Sequence, residues 1–211
     1  MSDTRLVGIA LLLVAPLLVA TGYMSARGGY ASGSFWRSTR DEKLDRIIDA
    51  REYWLWMHAT WVVLLLVLAG GMTGVGFVLA RAGEPALAGI GLGLALISSA
   101  CWLVGVVLQG PPAAIAAELR HETGHTPGWL APLFTVVGWT ELAYVAGTAA
   151  AYVVLGAAMV GSGEPSGWAG WVGIVFGGVT ILATVLARHA ATFPELPLVV
   201  PVVLGVAFVL A

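Results

Sequence analysis

The feature that most constrains this chain is a series of long apolar runs separated by short polar segments. A helix needs about 20 predominantly apolar residues to cross the hydrocarbon core of a bilayer. Two of the runs, at residues 53–80 and 86–109, meet this requirement without any Asp, Glu, Lys or Arg. Because backbone polar groups cannot stay unpaired in lipid, such segments are expected to fold as helices.

Six segments are predicted to cross the membrane, and they are residues 6–23, 53–80, 86–109, 139–160, 168–187 and 196–211. The first lies near the N-terminus, where a cleaved signal peptide is the competing interpretation. The last is short and contains two prolines, so a tilted or partly inserted helix is an alternative there. The apolar run at 129–160 is too long for one upright span. We expect Pro132 and Gly138 to break it and to leave residues 129–138 at the membrane interface.

The composition supports a single all-α transmembrane domain over residues 1–211. Apolar residues make up 59% of the chain and charged residues only 10%, whereas soluble domains have about 45–50% and about 25%. This excludes a soluble enzyme and a disordered tail, and the lone Cys101 excludes a disulfide-stapled domain because it can form no intrachain bridge. The net charge of −2 gives no basic surface for nucleic acid. The expected partner is the lipid bilayer, with other membrane subunits as a further possibility.

The distribution of basic residues predicts the orientation in a cell membrane. With six spans, the loops at 24–52, 110–138 and 188–195 share one side and both termini share the other. Only Arg5 and Arg81, of the 10 basic residues, lie on the side of the termini. The positive-inside rule therefore places the first set of loops in the cytoplasm and both termini outside.

A polar segment at 38–52 is predicted to form an amphipathic helix at the membrane interface or leading into the second span. Ser38 or Thr39 can cap its N-terminus, and Leu44 and Ile47 fall on one face. The charges of this region nearly cancel, so a solvated structural helix is favoured over a helix that attracts anionic lipid.

Glycines and tryptophans indicate how the spans pack and where they end. Three glycine pairs at helical spacing are expected to pack helices within one bundle, with a dimer interface as the alternative; they are Gly70 and Gly74, Gly89 and Gly93, and Gly173 and Gly177. Tryptophans near the ends of the spans predict an interfacial belt, formed by Trp54, Trp56, Trp61, Trp129, Trp139, Trp168 and Trp171.

The sharpest chemical motif is His121-Glu122-Thr123-Gly124-His125, which has the form H-E-x-x-H. On a helix, two histidines four residues apart can bind one zinc ion while the intervening Glu activates a water molecule. The motif resembles that of zinc metallopeptidases, and the Gly before the second His is similar to that of site-2-type intramembrane proteases. The resemblance implies His121 and His125 as metal ligands and Glu122 as the catalytic residue.

Such a zinc site also needs a third ligand. Glu141 is a candidate for this role because it lies 16 residues beyond His125, a separation that suits a zinc site with a Glu ligand, and His58 and His189 are alternatives. Pro127 follows the motif closely, so the helix can extend no further than the second histidine. A polar juxtamembrane loop that happens to carry His and Glu is the competing interpretation.

Two further observations concern His58, His189 and Glu141. Two histidines from different spans at equal depth can ligate a b-type haem, so His58 and His189 are candidate haem ligands, with interfacial histidines as the alternative. Glu141 would be an intramembrane acid, and therefore a functional candidate, if its span begins near Leu133. It would be an ordinary interfacial acid if the span begins at Trp139, which the expected break favours.

The last third of the chain, around GEPSGWAGWVGIVFGGV at residues 163–179, loosely resembles uncharacterised small six-helix bacterial integral membrane proteins. This resemblance implies a membrane bundle and no particular activity. We therefore expect a non-catalytic scaffold or accessory subunit, or a binder of apolar ligand, without a cofactor. The alternatives are a membrane-embedded zinc hydrolase and, after it, a haem-binding redox subunit.

Overall fold

The computed structural model of the chain describes residues 3–31, 35, 38–163, 167–187 and 195–211. Within these residues the regular structure is entirely helical, which confirms the all-α class. The helices are α1 (Asp3–Leu12), α2 (Val14–Arg27), α3 (Arg40–Asp49), α4 (Arg51–Arg81), α5 (Pro85–Thr123), α6 (Leu130–Gly161), α7 (Gly167–Ala187) and α8 (Val199–Leu210), with a 3-10 turn at Leu196–Leu198.

Five helical segments are long and apolar enough to cross a membrane, and they are Asp3–Arg27, Arg51–Arg81, Pro85–Thr123, Leu130–Gly161 and Gly167–Leu186. Each corresponds to one of the predicted spans. The sixth predicted span, at 196–211, contains the shorter apolar helix α8, which has 12 residues. The six-span count therefore stays a prediction.

The predicted break in the fourth span is wrong. Helix α6 runs from Leu130 without interruption, so Pro132 lies in its first turn. The backbone nitrogens of a first turn have no helical acceptor, and a proline there costs little. Gly138 does not interrupt the helix either, because it is a single glycine inside a long apolar helix.

Prolines act differently in the first and third spans. Helix α1 ends at Leu12 and α2 begins at Val14, because Pro16 cannot donate to the carbonyl of Leu12 and its ring crowds that carbonyl. Helix α5 instead continues through Pro111 and Pro112 to Thr123. The third span was expected to end at residue 109, so this helix extends well beyond the predicted boundary.

Close contacts divide the chain into two compact units, and the first comprises residues 1–15, 65–102 and 141–211. In this unit α1 packs against α8 through facing glycines. A Cβ atom at Gly8 would lie 2.9 Å from the carbonyl oxygen of Gly205, and one at Gly205 would lie 3.0 Å from the carbonyl oxygen of Gly8. Residues Gly71 and Gly74 of α4 similarly make room for the side chains of Leu11 and Val7.

Helices α6 and α7 of the first unit also pack at backbone distance. A Cβ at Gly173 would lie 3.0 Å from the carbonyl oxygen of Tyr152, and Gly177 is packed against the backbone of α6 in the same way. This agrees with the packing predicted for that glycine pair. The prediction fails for Gly89 and Gly93, where an added Cβ would meet nothing within 4 Å.

The second unit comprises residues 16–64 and 103–140 and contains the amphipathic helix α3. Thr39 caps this helix and forms a capping box with Glu42. The apolar residues Leu44 and Ile47 are buried within the protein. Its position at a membrane interface stays a prediction, since part of its apolar face is used for packing.

Candidate functional site

The H-E-x-x-H motif does not lie on one helix. Helix α5 ends at Thr123, and the next residue, Gly124, has a φ of 74°. Its amide donates to the carbonyl of Arg120 at 2.8 Å, which is typical of a helix closed by a left-handed glycine. His125 lies beyond this closure, and its amide donates to the hydroxyl of Thr123 at 3.3 Å. The helical spacing that would direct both imidazoles to one zinc ion is therefore lost.

The surroundings of the motif are exposed and ionic. His121, Glu122 and His125 are all exposed. The same helix end carries Arg120, which forms ion pairs with Asp41 at 3.1 Å and Asp45 at 2.9 Å of helix α3. The C-terminal end of α5 is therefore joined to α3 by these ion pairs.

Metal ligation by these residues stays a prediction. Among the residues that the structure describes, no three His, Cys, Asp or Glu side chains are grouped closely enough to hold a metal ion. Glu141, the candidate third ligand, lies inside the continuous helix α6 and is half-buried. It is therefore not at the start of its helix, as the expected break had suggested.

His58 is a buried part of a packed junction between α4 and α5 in the second unit. Its Nδ1 atom lies 2.8 Å from the carbonyl oxygen of Trp54. Since a carbonyl can only accept, Nδ1 carries a proton and donates it to this oxygen. The Gln109 side chain lies close to the His58 ring, and a Cβ at Gly110 would lie 2.8 Å from the Cβ of His58. His189, the other candidate haem ligand, lies outside the described residues.

Trp54 connects the same junction to the proline-containing part of α5. Its indole Nε1 donates to the carbonyl oxygen of Gly110 at 2.9 Å. Pro111 and Pro112 follow directly, and their missing amides leave the carbonyls of Val107 and Leu108 without a helical donor. Trp54 is only 1% exposed, so the prediction that it belongs to an interfacial belt is wrong. The Gly-Pro-Pro sequence was the available signal, because a helix that carries two prolines needs support from a neighbouring element.

Other aromatic residues complete this junction. Tyr30 packs edge-on against Trp54 at a centroid distance of 5.0 Å and against Phe35 at 5.1 Å. The Tyr30 hydroxyl donates to the carbonyl oxygen of Ala50 at 2.9 Å, where α3 ends and α4 begins. Burial raises the pKa of this phenol, which therefore stays neutral and keeps its donor.

The first unit buries a strip of hydroxyl groups on one face of α6, formed by Tyr144, Thr148 and Tyr152. The Tyr152 hydroxyl donates to the carbonyl oxygen of Pro197 at 2.6 Å and so connects α6 to the turn before α8. The Tyr144 ring stacks on Trp102 at 5.8 Å. Within the described residues, the buried hydroxyls of Tyr144 and Thr148 have no hydrogen-bond partner.

Comparison with known proteins adds no family to this description, because no protein-family model, curated protein or solved structure matches the chain.

Proposed function

We propose that the protein is a multi-pass integral membrane protein with a non-catalytic role, as a scaffold or accessory subunit or as a binder of apolar ligand. The observation that carries this proposal is the use of the buried polar side chains. Trp54 and Tyr152 each donate to a backbone carbonyl of another helical segment and hold it in place, and Nδ1 of His58 donates to a carbonyl of its own helix. Bonds of this kind stabilise a bundle, which supports a structural role over a catalytic one.

The outer face of α7 supports the accessory role. One side of this helix packs on α6 through glycine, while Trp171, Val175 and Val179 on another side are about 60% exposed. The surface that they form with Val172 and Phe176 of the same helix is wholly apolar. In a membrane, such a face contacts either acyl chains or a helix of another subunit.

A photo-crosslinking residue at Val175 tests this role in native membranes, with Val19 of α2 as the control because it is 72% exposed. We expect the Val175 position to give one discrete protein adduct and the Val19 position to give lipid adducts. Lipid adducts alone at both positions would contradict the accessory role. Stoichiometric zinc that is lost in His125→Ala, or a Soret band that is lost in His58→Ala, would contradict the non-catalytic role.

We further infer an orientation in the cell membrane, with loops 24–52 and 110–138 in the cytoplasm and both termini outside. The bias of Lys and Arg toward these loops supports it. An impermeant thiol reagent tests it on intact cells, in a Cys101→Ser background. We expect Ala82→Cys to be labelled from outside and Ser38→Cys only after lysis; the opposite pattern would reverse the orientation.

A further inference from the structure

One exposed face of α2 changes in character from apolar to charged along the helix. Val19, Tyr23 and Arg27 follow one another at intervals of four residues, so they lie on the same face. All three are exposed. The Arg27 guanidinium stacks over the Tyr23 ring at 6.0 Å from its centroid, which holds the charge at the end of the helix.

One exposed face of α4 changes from aromatic to aliphatic along the helix. Tyr53, Trp56 and Val63 share one side of this helix by their spacing, and all three are exposed. The two faces adjoin, because the Tyr53 side chain lies close enough to the Arg27 guanidinium to act on it. The α2 face therefore presents a charge, an aromatic ring and an aliphatic side chain in order, and the α4 face presents two aromatic rings and then an aliphatic side chain.

The charge of Arg27 has no acidic partner within the described part of the chain. The side chains that act on it are Tyr23 and Tyr53. Arg81 also stacks on an aromatic ring, that of Phe77 at 4.2 Å. Unlike Arg27, it forms an ion pair, with Asp3 at 3.1 Å. Arg27 thus has neutral neighbours, and within the described residues no carboxylate competes with an anion for its guanidinium.

We propose that Arg27, Tyr23, Tyr53 and Trp56 form a binding site for the phosphate of a phospholipid headgroup. A guanidinium pairs with phosphate through two parallel hydrogen bonds, and Tyr and Trp rings prefer the level of the headgroups. Val19 and Val63 then lie where the acyl chains begin. The inference rests on the proposed membrane insertion of the protein.

Native mass spectrometry of the detergent-purified protein tests the site, with phosphatidylglycerol as the probe. We expect Arg27→Gln to weaken retention of phosphatidylglycerol by about tenfold, the effect of losing one charge-assisted pair. Arg81→Gln is the matched control and is expected to retain the lipid, because Asp3 already occupies that arginine. Unchanged retention in Arg27→Gln, or an equal loss in both variants, would overturn the proposal.

Two further ligands identify the source of the phosphate. Diacylglycerol with the same acyl chains lacks phosphate and is expected to bind weakly, and inorganic phosphate at millimolar concentration is expected not to displace the lipid. Strong binding of diacylglycerol, or displacement by inorganic phosphate, would overturn a lipid-phosphate site. Alkaline carbonate extraction separates this result from the proposed function: release of the wild-type protein refutes membrane insertion, whereas retention with unchanged lipid binding in Arg27→Gln refutes only the site.

Discussion

Adjacent glycines in α7 allow a direct test of how closely α6 and α7 pack. A Cβ atom at Gly177 would lie 2.9 Å from the Val153 Cγ2 atom, 3.3 Å from the Val153 backbone nitrogen, and closer still to the carbonyl oxygen of Ala149. A Cβ atom at Gly178 would meet nothing within 4 Å. Because backbone atoms cannot rotate out of the way, an alanine at 177 must push the two helices apart.

The magnitude follows from comparing Gly177→Ala with Gly178→Ala. Replacing a glycine inside a helix by alanine favours the helix by about 1 kcal/mol, and this gain is common to both variants. Overpacking a well-packed interface costs about 1–3 kcal/mol, and only Gly177→Ala incurs this cost. The free energy of unfolding of Gly177→Ala should therefore be lower than that of Gly178→Ala by about 1–3 kcal/mol.

Titration of the micelle-bound protein with sodium dodecyl sulfate, followed by tryptophan fluorescence, measures this difference. Trp168 and Trp171 lie on the same helix and report on its separation from α6. Equal unfolding free energies for the two variants, or a more stable Gly177→Ala, would refute the close packing of these helices.

The same titration checks two predictions about buried polar groups. Trp54→Phe removes the bond to the Gly110 carbonyl and should lower the free energy of unfolding by about 1–3 kcal/mol, whereas Trp56→Phe, at a residue 65% exposed, should have little effect; equal effects would show that the junction does not depend on the indole. Tyr144→Phe removes a hydroxyl without a partner in the described structure and should leave stability unchanged or higher, whereas Tyr152→Phe loses its bond to Pro197 and should cost about 0.5–1.5 kcal/mol. A larger loss in Tyr144→Phe than in Tyr152→Phe would mean that the Tyr144 hydroxyl is bonded in the folded protein.

The sequence predicted the helices well because a run of apolar residues leaves the backbone little alternative. It predicted their interruptions poorly, since the effect of a proline depends on its place within the helix. Pro132 lies in a first turn and costs little, Pro16 separates α1 from α2, and Pro111 with Pro112 is accommodated inside α5. Only the position of the first helical residue distinguishes the first two cases, and that position is not visible in an apolar run.

Glycine spacing likewise predicted close packing without identifying the glycines that pack. In α5 it is Gly91, between the predicted Gly89 and Gly93, whose missing side chain makes room for Leu155. All three are small residues on a uniformly apolar helix, so no difference in polarity marks the face that meets a neighbour. Packing faces of membrane helices are specified by their partners, which a single sequence does not reveal.

The candidate sites were also predicted incompletely from the sequence. The zinc hypothesis depended on helical geometry through His125, but Gly124 adopts a positive φ and ends the helix before it. The spacing of the motif could not predict this, because Gly124 is compatible both with a helix and with its termination. The Trp54–His58 junction was missed for the opposite reason: its partner, Gly110, contributes only a backbone carbonyl and the absence of a side chain.

Gly8 of α1 and Gly205 of α8 are in close contact although they are far apart in the sequence. Helix α1 is synthesised before α8, so this contact can form only after all the intervening helices have left the ribosome. Contacts between residues so distant in sequence form slowly. During synthesis Gly8 of α1 therefore stays uncovered on the side that later contacts α8.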